Sequence, residues 1–144
     1  MFRLDQKVSV ITGGGSGIGR AISELFARQG SHVHILELDA ENAKSTVSQI
    51  ESEGGRVTSH ICDVANQKEI VALFQKISAV DILLNNAGIA HIGRADNTGE
   101  EDFDRVMNVN VKGVYNCIYA AIPLLKKAGG GTILNMGSVA AQVG

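Results

Sequence analysis

The stretch with the clearest chemical meaning is TGGGSGIG at residues 12–19, in which five of eight residues are glycine. It continues the apolar run VSVIT, so we expect it to join a strand to a helix that begins near Gly17. Backbone without side chains lets phosphate groups come close, and the first turn of a helix offers unpaired N–H groups with partial positive charge. The stretch therefore predicts a site for the pyrophosphate of a dinucleotide.

Two other phosphate-binding patterns do not fit this stretch. The pattern GxGxxG fails because its last position falls on Ile18 or on Arg20, depending on the starting glycine. The P-loop pattern GxxxxGK[ST] fails because Gly19 is followed by Arg20 and Ala21, which provide neither the lysine nor the magnesium-binding hydroxyl. The chain instead reads TGxxxGxG.

An acidic residue follows the glycines at a distance that suits the sugar of the same ligand. Glu37 closes the second predicted strand, 18 residues after Gly19, where a carboxylate can accept hydrogen bonds from both ribose hydroxyls. A carboxylate there repels a 2′-phosphate, and the loop residues 14–16 contain no Lys or Arg to attract one. Both features favour NAD over NADP. The alternative is a solvated charge at a strand end.

The elements that must position these residues follow a regular alternation. Short apolar runs with few charges alternate with longer segments of helical periodicity, which is typical of parallel strands buried on both faces and covered by helices. The sequence therefore predicts an α/β doubly wound parallel sheet with right-handed crossovers. The predicted strands are Val8–Thr12, Val33–Leu36, Val57–Cys62, Val80–Leu84 and Thr132–Met136.

Several helix starts can be predicted from capping residues. Helices are expected over 17–29 and 40–53, the second with Asp39 as its N-cap. The acidic run GEEDFD at 99–104 is interpreted as the first turn of a helix, favoured by the helix dipole. Two further segments resemble capping boxes, formed by Asn66 with Glu69 and by Thr98 with Glu101.

Composition excludes several classes of function. With 13 Lys and Arg against 15 Asp and Glu, the chain has a net charge of −2 and no basic stripe for nucleic acid. No apolar run approaches the ~20 residues of a membrane span, and residues 1–8 carry no leader pattern. Cys62 and Cys117 lie in apolar stretches, which predicts buried free thiols in a reducing compartment and hence a cytoplasmic protein. His32 and His34 share one strand face without a third ligand in view, so no metal site is predicted.

Four further motifs accompany the glycine-rich stretch. They are the pair Asp63-Val64, NNAG at 85–88, NVKG at 110–113 and NMGS at 135–138. Together with TGGGSGIG they resemble the short-chain dehydrogenase/reductase family, in the right order and across essentially the whole chain. TGxxxGxG alone is moderately specific, but its combination with NNAG some seventy residues later is hard to explain otherwise.

The resemblance implies an NAD groove at the carboxyl ends of the strands. Gly13 would make the tight turn, Gly17 would admit the pyrophosphate, and Gly19 would let the helix pack against the sheet. Asp63 would bond the adenine amino group beside the Val64 backbone, although capping of the next turn is an alternative for this residue. The expected cofactor-binding residues are Gly13, Ser16, Gly17, Ile18, Gly19, Glu37, Asp63, Val64, Asn86, Ala87 and Gly88.

The resemblance also implies a reaction, hydride transfer that interconverts a secondary alcohol and a ketone. Ser138 takes the position of the serine that holds the substrate oxygen, with a helix cap or turn as the alternative, and Asn110 takes that of the catalytic-set asparagine. The family's acid is the tyrosine of a Tyr-x-x-x-Lys pair that follows the serine, but the chain ends six residues after Ser138. Neither Tyr115 nor Tyr119 has a lysine four residues later, so both are expected to pack on a helix.

We therefore expect residues 1–144 to form a single NAD(P)-binding Rossmann-type domain that is incomplete at its C-terminal side, with the remainder beyond residue 144. The intact protein is expected to be an NAD-dependent oxidoreductase acting on a small alcohol or ketone, assembled as a homo-oligomer (dimer or tetramer). The 144-residue chain alone is expected to be inactive. The alternatives are a non-catalytic NAD-binding module and, with less support, a methyltransferase that uses a similar glycine-rich turn.

Overall fold

The computed structural model describes residues 2–139 and 143 and contains one five-stranded sheet in which every pair of neighbouring strands is parallel. The strands in chain order are β1 (Val8–Thr12), β2 (His32–Glu37), β3 (Arg56–Ile61), β4 (Ile82–Asn85) and β5 (Thr132–Asn135). Their order across the sheet is β3-β2-β1-β4-β5. Strands β2 and β3 thus lie on one side of β1, whereas β4 and β5 lie on the other. The point between β1 and β4 is the switch point, where doubly wound sheets bind ligands. The predicted α/β class is confirmed.

Helices cover both faces of the sheet. They are α1 (Gly17–Arg28), α2 (Ala40–Ser52), α3 (Gln67–Ile77), α4 (Glu100–Met107) and α5 (Val114–Lys127), with a π-helical segment, Asn108–Gly113, between α4 and α5. Within the described part of the chain, no helix combines the length and the apolar character needed to cross a bilayer.

The sheet separates two apolar cores because successive residues of a strand point to opposite faces. On one face Ile11 and Ile35 pack with the side chains of α1 and α2. On the other face Val10 and Leu36 pack with α3 and α5, where Phe74 is 1% exposed. Strands β1 and β2 therefore contribute to both cores, as their apolar runs predict.

Two of the predicted helix caps are present and one is wrong. The Asp39 carboxylate accepts a hydrogen bond from the Asn42 backbone N–H at 2.9 Å, and the Asn66 side chain accepts one from the Glu69 N–H at 3.3 Å. Helix α4, however, has Gly99 as its N-cap. Thr98 lies one residue too early and donates its hydroxyl to a loop carbonyl instead.

Some strand boundaries differ from the predicted ones. β2 extends to His32 and Glu37, one residue beyond the apolar run at each end, because ladder hydrogen bonds do not require apolar side chains. β4 begins at Ile82 although the run begins at Val80, which is buried in the preceding turn. That turn is fixed by Asp81, whose carboxylate accepts a hydrogen bond from the Val8 N–H at 2.9 Å. β3 and β5 each end one residue earlier than predicted.

The segment around Asn110 is π-helical and joins two α-helices. Helix α4 ends at Met107, residues 108–113 are π-helical, and α5 begins at Val114. A π-helical turn contains an extra residue and often occurs at functional sites. Here it places the Asn110 side chain against the backbone that follows β4.

Candidate nucleotide-binding site

A cavity of about 610 Å³ lies at the carboxyl ends of β1 to β4, across the switch point of the sheet. Ten of the eleven expected cofactor-binding residues line it, and Gly19 lies behind the wall. The lining residues that the sequence did not indicate are Leu36, Leu38, Asp39, Cys62, Ile89 and Val109. Each of these six lies within two residues of a predicted residue or in the π-helical segment. Their closeness to the strand ends is the signal in the sequence that could have indicated them.

The glycine-rich turn between β1 and α1 adopts backbone conformations that suit glycine. Gly13 and Gly17 have φ values of +62° and +51°, in the left-handed region that residues with a Cβ rarely adopt. Gly19 has a different requirement, since a Cβ there would overlap the Gly13 carbonyl group and approach the Asn86 amide. Its close contacts are therefore with the turn and with the residue that follows β4. Gly17 and Ile18, in the first turn of α1, line the cavity, and the N–H groups of a helix's first turn have no partner within the helix.

The end of β4 is bonded to the end of β1 through a residue outside the predicted set. The Thr12 hydroxyl accepts hydrogen bonds from the backbone N–H groups of Asn86 at 3.0 Å and Ala87 at 2.9 Å. The Asn86 side chain in turn donates to the carbonyls of Thr12 at 3.1 Å and Gly13 at 3.2 Å. These four bonds hold together the ends of two neighbouring strands that border the cavity.

The Glu37 carboxylate is held at the cavity wall by backbone donors. One oxygen accepts a hydrogen bond from the Gly15 N–H at 3.0 Å, and the other accepts from Leu38 at 3.0 Å and Asp39 at 3.3 Å. A Cβ on Gly15 would lie 2.8 Å from the first oxygen, so this glycine gives the carboxylate its space. Glu37 and the glycine-rich turn are therefore one bonded unit.

The turn after β3 places Asp63 and Val64 in the lining of the cavity. The Asp63 carboxylate accepts a hydrogen bond from the Ala65 N–H at 2.9 Å, which makes it a cap of its own turn as well as a lining residue. Cys62 also lines this end. Burial, reinforced by nearby carboxylates, raises the pKa of its thiol to about 12, so the group stays protonated and is not a nucleophile. Cys62 and Cys117 are both unpaired and buried, as predicted.

The two expected catalytic residues occupy different surroundings. Asn110 forms a two-point contact with Ile89, donating to its carbonyl and accepting from its N–H, both at 2.9 Å. Ser138 is exposed and lies three residues after the end of β5, the strand that neighbours β4. Neither residue lines the cavity as described. Asn110 thus acts on the cavity through Ile89, which does line it.

The histidines of β2 form a polar cluster with β3 rather than a metal site. His34 Nδ1 lies 3.0 Å from His60 Nε2, and His32 Nε2 lies 3.0 Å from the Thr58 hydroxyl. Burial, then the neighbouring His32 and His60, lower the pKa of His34 to about 4. Across the described residues, no three His, Cys, Asp or Glu side chains are arranged to hold a metal ion.

A doubly wound parallel sheet with a glycine-rich turn at its switch point defines a Rossmann-type α/β protein. The sequence model of the family described as short chain dehydrogenase matches residues 7–144, and the chain belongs to this family. The resemblance carried by the five motifs is therefore confirmed.

Individual relatives agree with this family. An uncharacterized oxidoreductase of Thermotoga maritima is 42% identical over 140 residues, covering 96% of this chain and 56% of the relative. D-threitol dehydrogenase of Mycolicibacterium smegmatis is 36% identical, with 99% and 56% covered. The structure of a 7α-hydroxysteroid dehydrogenase complexed with NADH and 7-oxo glycochenodeoxycholic acid superposes with a TM-score of 0.92 at 35% identity, covering 99% of this chain and 57% of that one. The chain thus spans a little over half the length of these relatives.

Proposed function

We propose that this protein binds NAD(H) in the cavity and that the intact protein is an NAD-dependent oxidoreductase that interconverts a secondary alcohol and a ketone by hydride transfer. The observation that carries the proposal is the Glu37 carboxylate, bonded to the glycine-rich turn at the cavity wall. Family membership and the NADH in the 7α-hydroxysteroid dehydrogenase complex support the nicotinamide cofactor.

The preference for NAD over NADP rests on charge. Glu37 and Asp39 place two carboxyl groups at the wall after β2, and the lining residues described include no Lys or Arg. A 2′-phosphate at that wall would face like charge without a cationic partner. A ribose with two free hydroxyls instead offers donors to the Glu37 oxygens.

In the proposed reaction the chain's own residues bind the cofactor and orient the substrate. The nicotinamide ring, when bound, would accept or donate the hydride. Asn110 fixes Ile89 at the cavity wall, and the Ser138 hydroxyl is proposed to hold the substrate oxygen beyond β5. The family's proton donor belongs to a Tyr-x-x-x-Lys pair, which these 144 residues do not contain.

Fluorescence titration with NADH and NADPH tests the cofactor proposal. We expect the wild-type chain to bind NADH at least about tenfold more tightly, a difference of about 1.4 kcal/mol. Glu37→Gln removes the repulsive charge and is expected to lose most of this preference. Glu41→Gln, which changes an exposed carboxylate in the first turn of α2, is the matched control. Equal affinities of the wild type for both cofactors would contradict the preference for NAD.

A second candidate function is NAD binding without turnover. It is favoured by the observation that neither expected catalytic residue, Asn110 or Ser138, lines the cavity as described. Incubation with NAD and a panel of secondary alcohols separates the two candidates, because a binding module would bind NADH and produce none. With such a module, Ser138→Ala would change neither binding nor turnover.

An apolar stripe supports the proposal that the intact protein forms a homo-oligomer, either a dimer or a tetramer. Phe103, Met107, Val111, Tyr115 and Tyr119 recur every fourth residue along α4, the π-helical segment and α5. Each is between 40% and 56% exposed, and apolar surface of this continuity is typical of interfaces. Light scattering during gel filtration measures the assembly directly.

We also propose a cytoplasmic location. The buried thiols of Cys62 and Cys117 are unpaired, which suits a reducing compartment. Fractionation of cells that express the intact protein would test this proposal, and recovery from the culture medium would contradict it.

A further inference from the structure

The turn that forms the Asp63 end of the cavity is supported from behind by the start of α5. Val64 lines the cavity and is only 9% exposed. Its backbone carbonyl accepts a hydrogen bond from the Asn116 side-chain amide at 2.8 Å, although 52 residues separate the two in sequence. Asn116 itself is fully buried. A polar group of α5 therefore reaches through the core to the backbone of the cavity wall.

A second residue of this region contacts the same valine from its apolar side. A Cβ on Gly113 would lie 2.7 Å from Val64 Cγ2, closer than packed atoms approach. The φ value of Gly113 is −59°, which any residue can adopt in a helix, so the requirement is for space rather than for conformation. Gly113 and Asn116 are three residues apart and lie on one helix face. Together they fix both the side chain and the carbonyl of Val64.

The hydrogen bonding of Asn116 indicates positioning rather than stabilisation. Its amide nitrogen is bonded to Val64, whereas its buried oxygen has no hydrogen-bond partner among the described residues. A buried amide that uses half of its capacity loses much of its hydrogen-bond gain to desolvation. An apolar side chain of similar size could fill the same space without that loss, but could not hold the Val64 carbonyl.

We infer that Asn116 and Gly113 are positioning residues for the adenine end of the cofactor site, holding the Asp63-Val64 turn at the distance that adenine requires. The inference rests on the proposed function and on the position for adenine that the family resemblance implies, at Asp63 and Val64. It predicts that damage to this pair lowers affinity for the adenosine part of the cofactor and spares the nicotinamide part. A residue with a merely structural role would lower both affinities together.

The experiment uses two fragments of the cofactor as probes, AMP for the adenosine part and reduced nicotinamide mononucleotide for the other part. Asn116→Leu removes the donor at nearly constant volume and is expected to weaken binding of AMP and NADH by about three- to tenfold. Gly113→Ala is expected to do the same by displacing Val64, even though alanine favours a helix over glycine. Neither variant is expected to change the affinity for the mononucleotide.

Ser31→Ala is the matched control. Ser31 is buried at the opposite end of β2, where its hydroxyl lies 2.7 Å from that of Ser9. This variant loses a buried hydrogen bond and is expected to lower thermal stability without changing the affinity ratio of AMP to mononucleotide. Circular dichroism establishes that each variant folds, and Gly113→Ala decides the test if Asn116→Leu does not.

The outcomes separate this inference from the proposed function. If the wild type binds neither NADH nor AMP, the proposed function fails. If the wild type binds both and the two variants keep its AMP affinity, or lose affinity for both fragments equally, the inference is overturned while the proposed function stands.

Discussion

Two regions of the molecule, one around β1 and β2 and the other around β5, differ in how far their residues are buried and in how many hydrogen bonds hold them. On the side of β1 and β2, the groups at the cavity wall are held by several backbone contacts, and residues such as Ile11 and Ile35 have no exposed surface. On β5 and on the exposed face of α5, Leu134 is 44% exposed and Tyr119 is 55% exposed. The proposed nucleotide binding therefore depends on residues that several backbone contacts hold in place, whereas the proposed chemistry depends on more exposed residues.

The largest expected effect is in the region around β1 and β2, at the closest contact of the glycine-rich turn. Gly19→Ala would drive a methyl group into the Gly13 carbonyl, which is expected to cost about 3 kcal/mol of stability and to abolish detectable NADH binding. Gly54→Ala is the control, because Gly54 has a φ of +77° and open space around it. It is expected to cost about 1–2 kcal/mol with NADH affinity unchanged. Full NADH affinity in Gly19→Ala would break the comparison.

Acid should destabilise the folded protein through the histidine cluster of β2 and β3. Burial and two neighbouring histidines lower the pKa of His34 from 6.5 to about 4, so the unfolded chain takes up the proton first as the pH falls. The free energy of unfolding is therefore expected to decrease as the pH falls from 6.5 to about 4, by up to about 3 kcal/mol at 1.36 kcal/mol per pKa unit. Urea unfolding at several pH values measures this dependence.

Two substitutions isolate the contribution of His34. His34→Leu removes the titrating ring and is expected to flatten the pH dependence relative to the wild type. Thr58→Val removes only the partner of His32 and is expected to retain it. Other groups that face the cluster are Arg56 on β3 and Lys76 on α3. An unchanged slope in His34→Leu would contradict the assignment.

Two threonines at strand positions compare the two sides directly. Thr12→Val leaves the N–H groups of Asn86 and Ala87 without their acceptor and is expected to cost about 2 kcal/mol. Thr132→Val makes the same change on the exposed strand β5 and is expected to stay within about 0.5 kcal/mol. Denaturant unfolding of both variants measures the two values. Equal losses would remove the distinction between the two sides.

The smallest expected effect concerns the apolar stripe. Tyr119→Ser is expected to change the stability of a monomer by less than about 0.5 kcal/mol, because the ring is already half exposed. Its effect should appear instead in gel filtration, as a weaker association of the intact protein than in the control Lys126→Ser at the end of the same helix. A large loss of monomer stability would mean that the ring packs within its own chain.

Features encoded by neighbouring residues could be predicted from the sequence. Three such features are the glycine-rich turn, the apolar strand runs and the Asp39 cap. Each depends only on residues that lie in the same turn or the same strand. The position of Glu37 also followed from local order, since it directly ends an apolar run.

Features that depend on contacts between distant segments could not be predicted. The bonds of Thr12 to Asn86 join residues 74 apart, and that of Asn116 to Val64 joins residues 52 apart. The π-helical segment could not be predicted, because π-helical and α-helical turns differ in their backbone hydrogen bonds rather than in residue type. The incorrect cap at Thr98 has a similar cause, since both Thr98 and Gly99 are common N-cap residues and only the backbone path selects between them.

The most direct test of the central claim is calorimetric titration of the folded wild-type chain with NADH. The account predicts saturable heat with one site per chain, and at least about tenfold weaker binding of NADPH. No saturable heat with either NADH or NAD, on material whose circular dichroism shows a folded α/β protein, would contradict it.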